Sequence, residues 1–299
     1  MTVTTSVDLS RLPPPEVLET LAYEQIFAEM MADLVARSEN DQPFTALVES
    51  DPAYKVLEIA AYREMLLRAR VNDAAKSVLL AFAVDGTLDN LAAFYGVKRL
   101  TLDPSDPDRS IAPTMESNDD LRRRVTLAPS GYSVAGPDDA YIFLALSASG
   151  LVLDAKPTSP SPGEVVVSVL SRTGDGTAST ELLATVQAEL SAKTKRPLTD
   201  HVTVQSAEII PFQIIGKRYT FGGPDSDLVL EASDDSLAKY LAESKKLDRD
   251  ITLDGIYAAI RVPGIQRTDL TSPTANIVIS GTQAAHCTLI DLVYGGIDE

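Results

Sequence analysis

Few residues in this 299-residue chain have the types and spacing that chemistry needs. Its histidines, His201 and His286, stand apart from any histidine or cysteine pattern with metal-ligand spacing. His286 and Cys287 are neighbours in a stretch that reads as a strand, so their side chains point to opposite faces. A catalytic Cys–His couple needs both groups on one side and within hydrogen-bond reach. The pair therefore reads as a structural cysteine beside an edge histidine. Arg172-Thr173-Gly174-Asp175-Gly176-Thr177 precedes a helical pattern and faintly suggests a phosphate loop. It lacks the Gly-Lys-Ser/Thr ending and the GxGxxG form, and reads as a plain turn. No Gly-x-Ser-x-Gly elbow and no His-Glu-x-x-His occurs. Carboxylates are plentiful, and no pair of them stands out. The expectation is a protein that is not an enzyme, with no catalytic, cofactor-binding or metal site.

Composition narrows the remaining classes. Aromatic residues make up 6% with no Trp, which argues against a carbohydrate- or base-stacking surface. A net charge of −17 repels phosphate backbones, so nucleic-acid binding needs a segregated basic face. The one dense basic run, Arg122-Arg123-Arg124, follows Asp119-Asp120 and reads as a solvated or ion-paired helix face. Apolar residues at 44% and charged residues at 23% describe a folded chain. No window approaches the roughly 18 consecutive apolar residues of a membrane span. Met1 to Leu12 lacks a basic region followed by an apolar one, so no secretory signal is expected. A lone Cys287 cannot form an internal disulfide, and a reducing cytoplasm is the natural site of synthesis.

The elements that position these residues change character along the chain. The fold class expected is α+β, an N-terminal helical bundle region followed by two small mixed α/β units. The expected domains are 1–130, 131–208 and 209–299. Tyr23, Phe27, Met30 and Leu34 recur on one helical face, and Asp41-Gln42-Pro43 breaks it. Leu102 to Asn118 is linker-like, with Pro104, Pro107 and Pro113. A short helix, Asp119 to Leu127, follows it. Ser133 caps a helix starting near Pro137. Strands are expected at Leu151–Ala155, Val165–Leu170 and His201–Val204, with a helix at Thr180–Lys195. The third unit begins near Ile209, with a strand from Phe212 to Phe221. Its helices are Ser233–Lys246 and Thr252–Val262, and its last strands Ile277–Ser280 and Thr288–Val293. Asp154 through Ser159-Pro160 to Val165-Val166-Val167 is weakly echoed by Asp269 through Ser272-Pro273 to Ile277-Val278-Ile279.

One helix stands out. Asp51 is placed to cap it and Pro52 suits its first position. The pattern runs uninterrupted to about Val84, roughly 45–50 Å at 1.5 Å per residue. It carries two apolar stripes roughly 130° apart on the helical wheel: Ile59, Tyr62, Leu66 and Ala69; and Leu67, Val71, Ala74 and Val78. A surface helix needs one stripe, whereas two imply packing partners on two sides. The preceding helix can cover one, and Leu88–Tyr95 part of the other. The physical inference is a helix from another chain, with a self-sufficient local bundle as the alternative. The partner-binding residues expected are Ile59, Tyr62, Leu66, Leu67, Val71, Ala74 and Val78.

At this helix the sequence resembles the baseplate J-like family. Glu49-Ser50-Asp51-Pro52, Lys55-Val56-Leu57-Glu58, Tyr62-Arg63-Glu64, Leu67 to Asn72 and Ala74-Ala75 carry the likeness. Leu88-Asp89-Asn90-Leu91-Ala92, Gly96-Val97 and Asp120-Leu121-Arg122 continue it, as do Gly131 to Tyr141, Arg196 to Asp200, Pro263-Gly264-Ile265 and Ser272-Pro273. The resemblance implies a wedge subunit in the baseplate of a contractile phage tail or tail-like particle such as a tailocin, assembled in the bacterial cytoplasm. It implies a second copy of the chain joined to one different wedge protein, repeated around a sixfold ring. Sheath-initiator-type and neighbouring baseplate proteins are further partners it implies, without nucleic acid, membrane insertion or cofactor. It also implies that the α/β units pair with a neighbouring copy to close the ring. Two other readings stay open: a receptor-binding or fibre-attachment tail protein, and a cell-wall hydrolase.

Overall fold

The computed structural model describes residues 9, 12–13, 15–16, 18–37, 48–104, 111–132, 137–192, 195, 199–223 and 225–298. The expected cap Ser133 and the break at Asp41-Gln42-Pro43 lie outside them. The chain forms two compact units, 1–98 and 99–299. Its helices and small mixed sheets make the expected α+β fold.

In the first unit, α1 (Tyr23–Arg37) packs on α2 (Pro52–Ser77), and α3 (Asp85–Phe94) follows. Tyr23, Phe27, Met30 and Leu34 are half-buried on the predicted face of α1, around fully buried Ile26. Phe27 meets Tyr54 edge to face at 4.9 Å between centroids. α2 ends seven residues sooner than its pattern predicts. The apolar run continues through Phe82, but Leu79, Phe82 and Ala83 turn back through short-range backbone bonds, and Ala83 is buried in the turn. Local packing there overrides helix propensity, with no Gly or Pro to announce it.

The second unit opens with a hairpin, β1 (Thr101–Asp103) and β2 (Thr114–Met115), then α4 (Asn118–Leu127) and a 3₁₀ turn, Ala128–Tyr132. The Ser117 hydroxyl accepts the Asp120 N–H at 3.1 Å, and Asp119 and Asp120 sit favourably in the first turn of α4. All three arginines of the basic run are ion-paired: Arg122 with Asp119, Arg123 with Asp154, and Arg124 with Glu116. Arg124 Nη1 donates to both oxygens of Glu116, at 2.9 and 2.8 Å, in a buried pair. Burial pushes the Glu116 carboxyl above its usual range, against the pull of Arg124.

Next come α5 (Asp138–Ala148), β3 (Val152–Thr158), β4 (Glu164–Ser171), α6 (Thr180–Leu190) and β5 (His201–Ser206). The sheet order is β3-β4-β5, antiparallel then parallel. Its core joins Leu144, Val152, Val167, Val169, Val186 and Leu190. The second sheet holds β6 (Glu208–Thr220), β7 (Ile265–Ser272) and β8 (Gln283–Ile297), in the order β7-β6-β8. It is covered by α7 (Ser226–Ser244) and α8 (Leu253–Ile260) around Ile214, Leu237, Ile256 and Ile260. Only Ala207 separates β5 from β6, so one extended run of chain serves both sheets. The Ala207 N–H donates to Val169 in the first sheet, and the Glu208 N–H to Thr282 beside the second.

Several expectations fail here. β7 was not anticipated because Gln266, Arg267, Thr268 and Asp269 give it no apolar signal; β6 recruits it as an antiparallel edge. Ile277–Ser280 is not a strand, although Ile277 bridges to Ile251. α7 begins at Ser226, where the Asp225 carboxylate accepts the Asp227 N–H, seven residues before its predicted start. α6 ends at Leu190, before the expected Lys195. The internal echo places Asp154 and Asp269 on antiparallel edge strands, but the sheets connect differently beyond that.

Candidate interaction surface

The surface is built on α2. One line of that helix, Tyr54, Ala61, Met65, Arg68 and Asn72, faces the α1 side and is buried or half-buried. Asn72 fixes the chain entering α1: its Nδ2 donates to the Glu19 carbonyl at 2.9 Å and its Oδ1 accepts the Glu19 N–H at 3.1 Å. Arg68 is held by Glu64 and Glu19. This line lies roughly 120° from each predicted stripe on the helical wheel. The expectation that α1 covers one of those stripes is therefore corrected, because α1 takes a third line. Small Ala61 allows the close approach there.

Both predicted stripes are left bare except at half-buried Ala69. Ile59, Tyr62 and Leu66 are exposed on one side, and Leu67, Val71, Ala74 and Val78 on the other, with Leu67 at 62% and Val78 at 68%. α3 buries Leu88 and Ala92 but leaves Phe94 at 85%, so it does not cover the second stripe as expected. Between the stripes, Arg63 and Arg70 flank Leu66 and Leu67 in a shallow open concavity. Among the described residues neither arginine forms an ion pair. Large contiguous apolar surface of this kind marks a contact site.

Asp51 occupies the N-cap position of α2, but its carboxylate does not bond the first turn. Its Oδ2 instead accepts the Val48 N–H at 3.0 Å. The expected side-chain cap is thus replaced by a bond into the preceding turn.

The chemistry-bearing residues are dispersed. His286 and Cys287 sit on β8 opposite Pro211 and Phe212, and burial pushes the Cys287 thiol up, away from thiolate. The Arg172–Thr177 loop is a turn in which Asp175 accepts the Thr177 N–H at 2.9 Å, and Arg172 pairs with Asp120. Among the described residues, no group of three or more His, Cys, Asp or Glu is placed to hold a metal ion. None of their helices is long and apolar enough to cross a membrane.

A second surface escaped the sequence reading. β8 runs far beyond the predicted Thr288–Val293, and Leu289, Ile290, Val293, Tyr294 and Ile297 are exposed along it. Past Val293 the Gly295-Gly296 pair interrupts the apolar pattern, so the sequence carries no strand signal there.

The bare two-sided helix and the apolar sheet edge are surfaces suited to association. Family models agree: the baseplate J-like N-terminal domain matches residues 49–106, the central domain 133–206 and the C-terminal domain 219–293. The chain belongs to the baseplate J-like family and is a structural protein of the baseplate of a phage or tail-like particle. It is 45% identical to baseplate protein J of Escherichia phage P2, over 98% of this chain and 99% of that protein. Among solved structures, it is similar to a chain of the anti-feeding prophage baseplate, seen by cryo-electron microscopy and sixfold symmetrised. There the TM-score is 0.41 and the identity 15%, over 59% of this chain and 43% of that one.

Proposed function

We propose that the chain is a wedge subunit of a contractile tail or tail-like injection particle, with the helices of its first unit, inside the expected domain 1–130, supplying a bundle shared between subunits. The observation that carries this reading is the exposure of both apolar lines of α2 after α1 has packed. A second copy of the chain and one different wedge protein each cover a line, in a ratio of about two to one. The α/β units, 131–208 and 209–299, pair with a neighbouring copy and close a sixfold ring; the bare β8 edge supports this part. Subunits assemble in the bacterial cytoplasm before entering the particle, where they also meet sheath-initiator-type and other baseplate proteins.

On contraction the bundle holds while pairings between α/β units shift, because a ring that must first resist and then yield needs bistable contacts. The Leu102–Asn118 stretch was expected as the connector. Its ends are tied by the β1–β2 pairing and by the Glu116 N–H bonded to Leu100 at 2.9 Å, so it belongs to the second unit and does not serve as the connector. The test is Leu67→Asp with Val78→Asp in the full chain. Loss of co-purification with the wedge partner, with the α/β units still folded, is expected. Assembly of the double variant at parental yield refutes the bundle.

A further inference from the structure

β8 pairs with β6 along one side for its whole length. Among the described residues its other side is occupied only at the start, where Leu247 bridges Ala284 and the Asp248 N–H donates to the Gln283 carbonyl. From Ala285 to Asp298 no described strand pairs with that side. At about 3.3 Å per residue this leaves ~45 Å of open strand edge. Native edges are usually blunted by lysine, proline, bulges or short length; this stretch has neither residue and is long, and its bulges at Thr288 and Gly295 leave Leu289–Tyr294 regular between them. Its exposed side chains are apolar on both faces of the sheet. Ile290 and Tyr294 pair with Ile214 and Arg218, which point to the helix-covered face; Leu289 and Val293 pair with Gln213 and Lys217 on the other. Beside it, Phe212, Leu241, Ile251, Cys287 and Ile290 line an open groove of about 240 Å³.

We propose that β8 pairs antiparallel with β8 of a second copy, about a twofold axis at Leu292. This rests on the reading that α/β units of neighbouring copies pair, and names the strand and register. The edge offers a row of backbone N–H and C=O groups, which only another extended chain satisfies in sequence. A twofold contact requires a self-complementary strand, and charge selects the register. Between Thr288 and Ile297 the only charged side chain is Asp291. A register centred on Asp291 sets two carboxylates face to face in an assembly of chains already at −17 each. Centring on Leu292 keeps the pairing within the regular stretch between the bulges at Thr288 and Gly295. It sets Asp291 against Val293 and Ile290 against Tyr294. A register centred on Ile290 runs the partner into the side already taken by Leu247.

The test uses sedimentation equilibrium of the full chain at micromolar concentration and low salt. It compares Val293→Asp, Val293→Lys and the exchange Asp291→Lys with Val293→Asp. Val293 lies opposite Lys217 of β6 within the chain, so Lys burdens folding more than Asp, and thermal melting of each variant separates that effect from the dimer's. The parent is expected to dimerise reversibly. Val293→Asp weakens the dimer about tenfold, Val293→Lys holds or tightens it, and the exchange restores it. Equal effects of Asp and Lys overturn the register while leaving pairing between copies intact. A parent that stays monomeric overturns both the strand pairing and the ring-closure reading beneath it.

Discussion

The guanidinium of Arg123 on α4 donates to Asp154 Oδ1 on β3 at 2.6 Å, while Asp154 Oδ2 accepts the Leu247 N–H, after α7, at 3.0 Å. One buried carboxylate thus joins the helix preceding the first sheet to the loop beneath the second. Lys156 pairs with Asp248 beside it, and Leu170, Ala207, Leu247 and Ala284 fill the space between the sheets. Together with the shared β5–β6 run, these contacts make the two α/β units one body. Asp154→Ala leaves Arg123 and the Leu247 N–H without their acceptor and is expected to cost about 2–3 kcal/mol. Asp154→Asn keeps an acceptor for only one of the two donors and turns its NH2 toward the other, so it is expected to cost about 1–2 kcal/mol. Chemical denaturation measures both, and hydrogen exchange at Leu247 should accelerate in the Ala variant before the β6–β8 core. Unchanged exchange there contradicts the linking role.

Asn72 is the corresponding fastener in the first unit. Asn72→Ala removes both bonds to Glu19 and is expected to cost about 1–2 kcal/mol, with faster exchange of the Glu19 amide. Asn72→Asp keeps the acceptor for that amide but loses the donor to the carbonyl, so its effect should fall between parent and Ala. An Asp variant as unstable as Ala shows that the donor to the Glu19 carbonyl carries the contact.

Asp51 should matter less than its position suggests. A true side-chain cap is worth about 1 kcal/mol, whereas an exposed bond to Val48 leaves Asp51→Ala within about 0.5 kcal/mol of the parent. Thermal melting of the full chain decides this. A loss of a full kilocalorie means the carboxylate reaches the first turn of α2 in solution.

These contacts explain what could be read from the sequence. Tyr23, Phe27, Met30 and Leu34 announced the packed face of α1 because helical spacing is local information. The two stripes of α2 were legible for the same reason, and so was their excess over what one neighbour can cover. Which line α1 takes was not legible. It depends on the small Ala61 and the polar Asn72, and neither enters an apolar pattern. The end of α2 at Ser77 and the early start of α7 are set by packing of Ala83 and by the Asp225 cap. The strand β7 has no apolar signature and exists because β6 offers it an edge. The surface on β8 was missed because exposure of an edge is a property of sheet order, which spacing within one strand does not encode.

The measurement that bears most directly on the account is the native mass of the complex formed when the chain is co-expressed with the other tail proteins of its locus. The account predicts two copies of this chain with one different partner. That complex should be lost on Leu67→Asp with Val78→Asp. A stable lone monomer under the same conditions contradicts it, because both lines of α2 would then tolerate water.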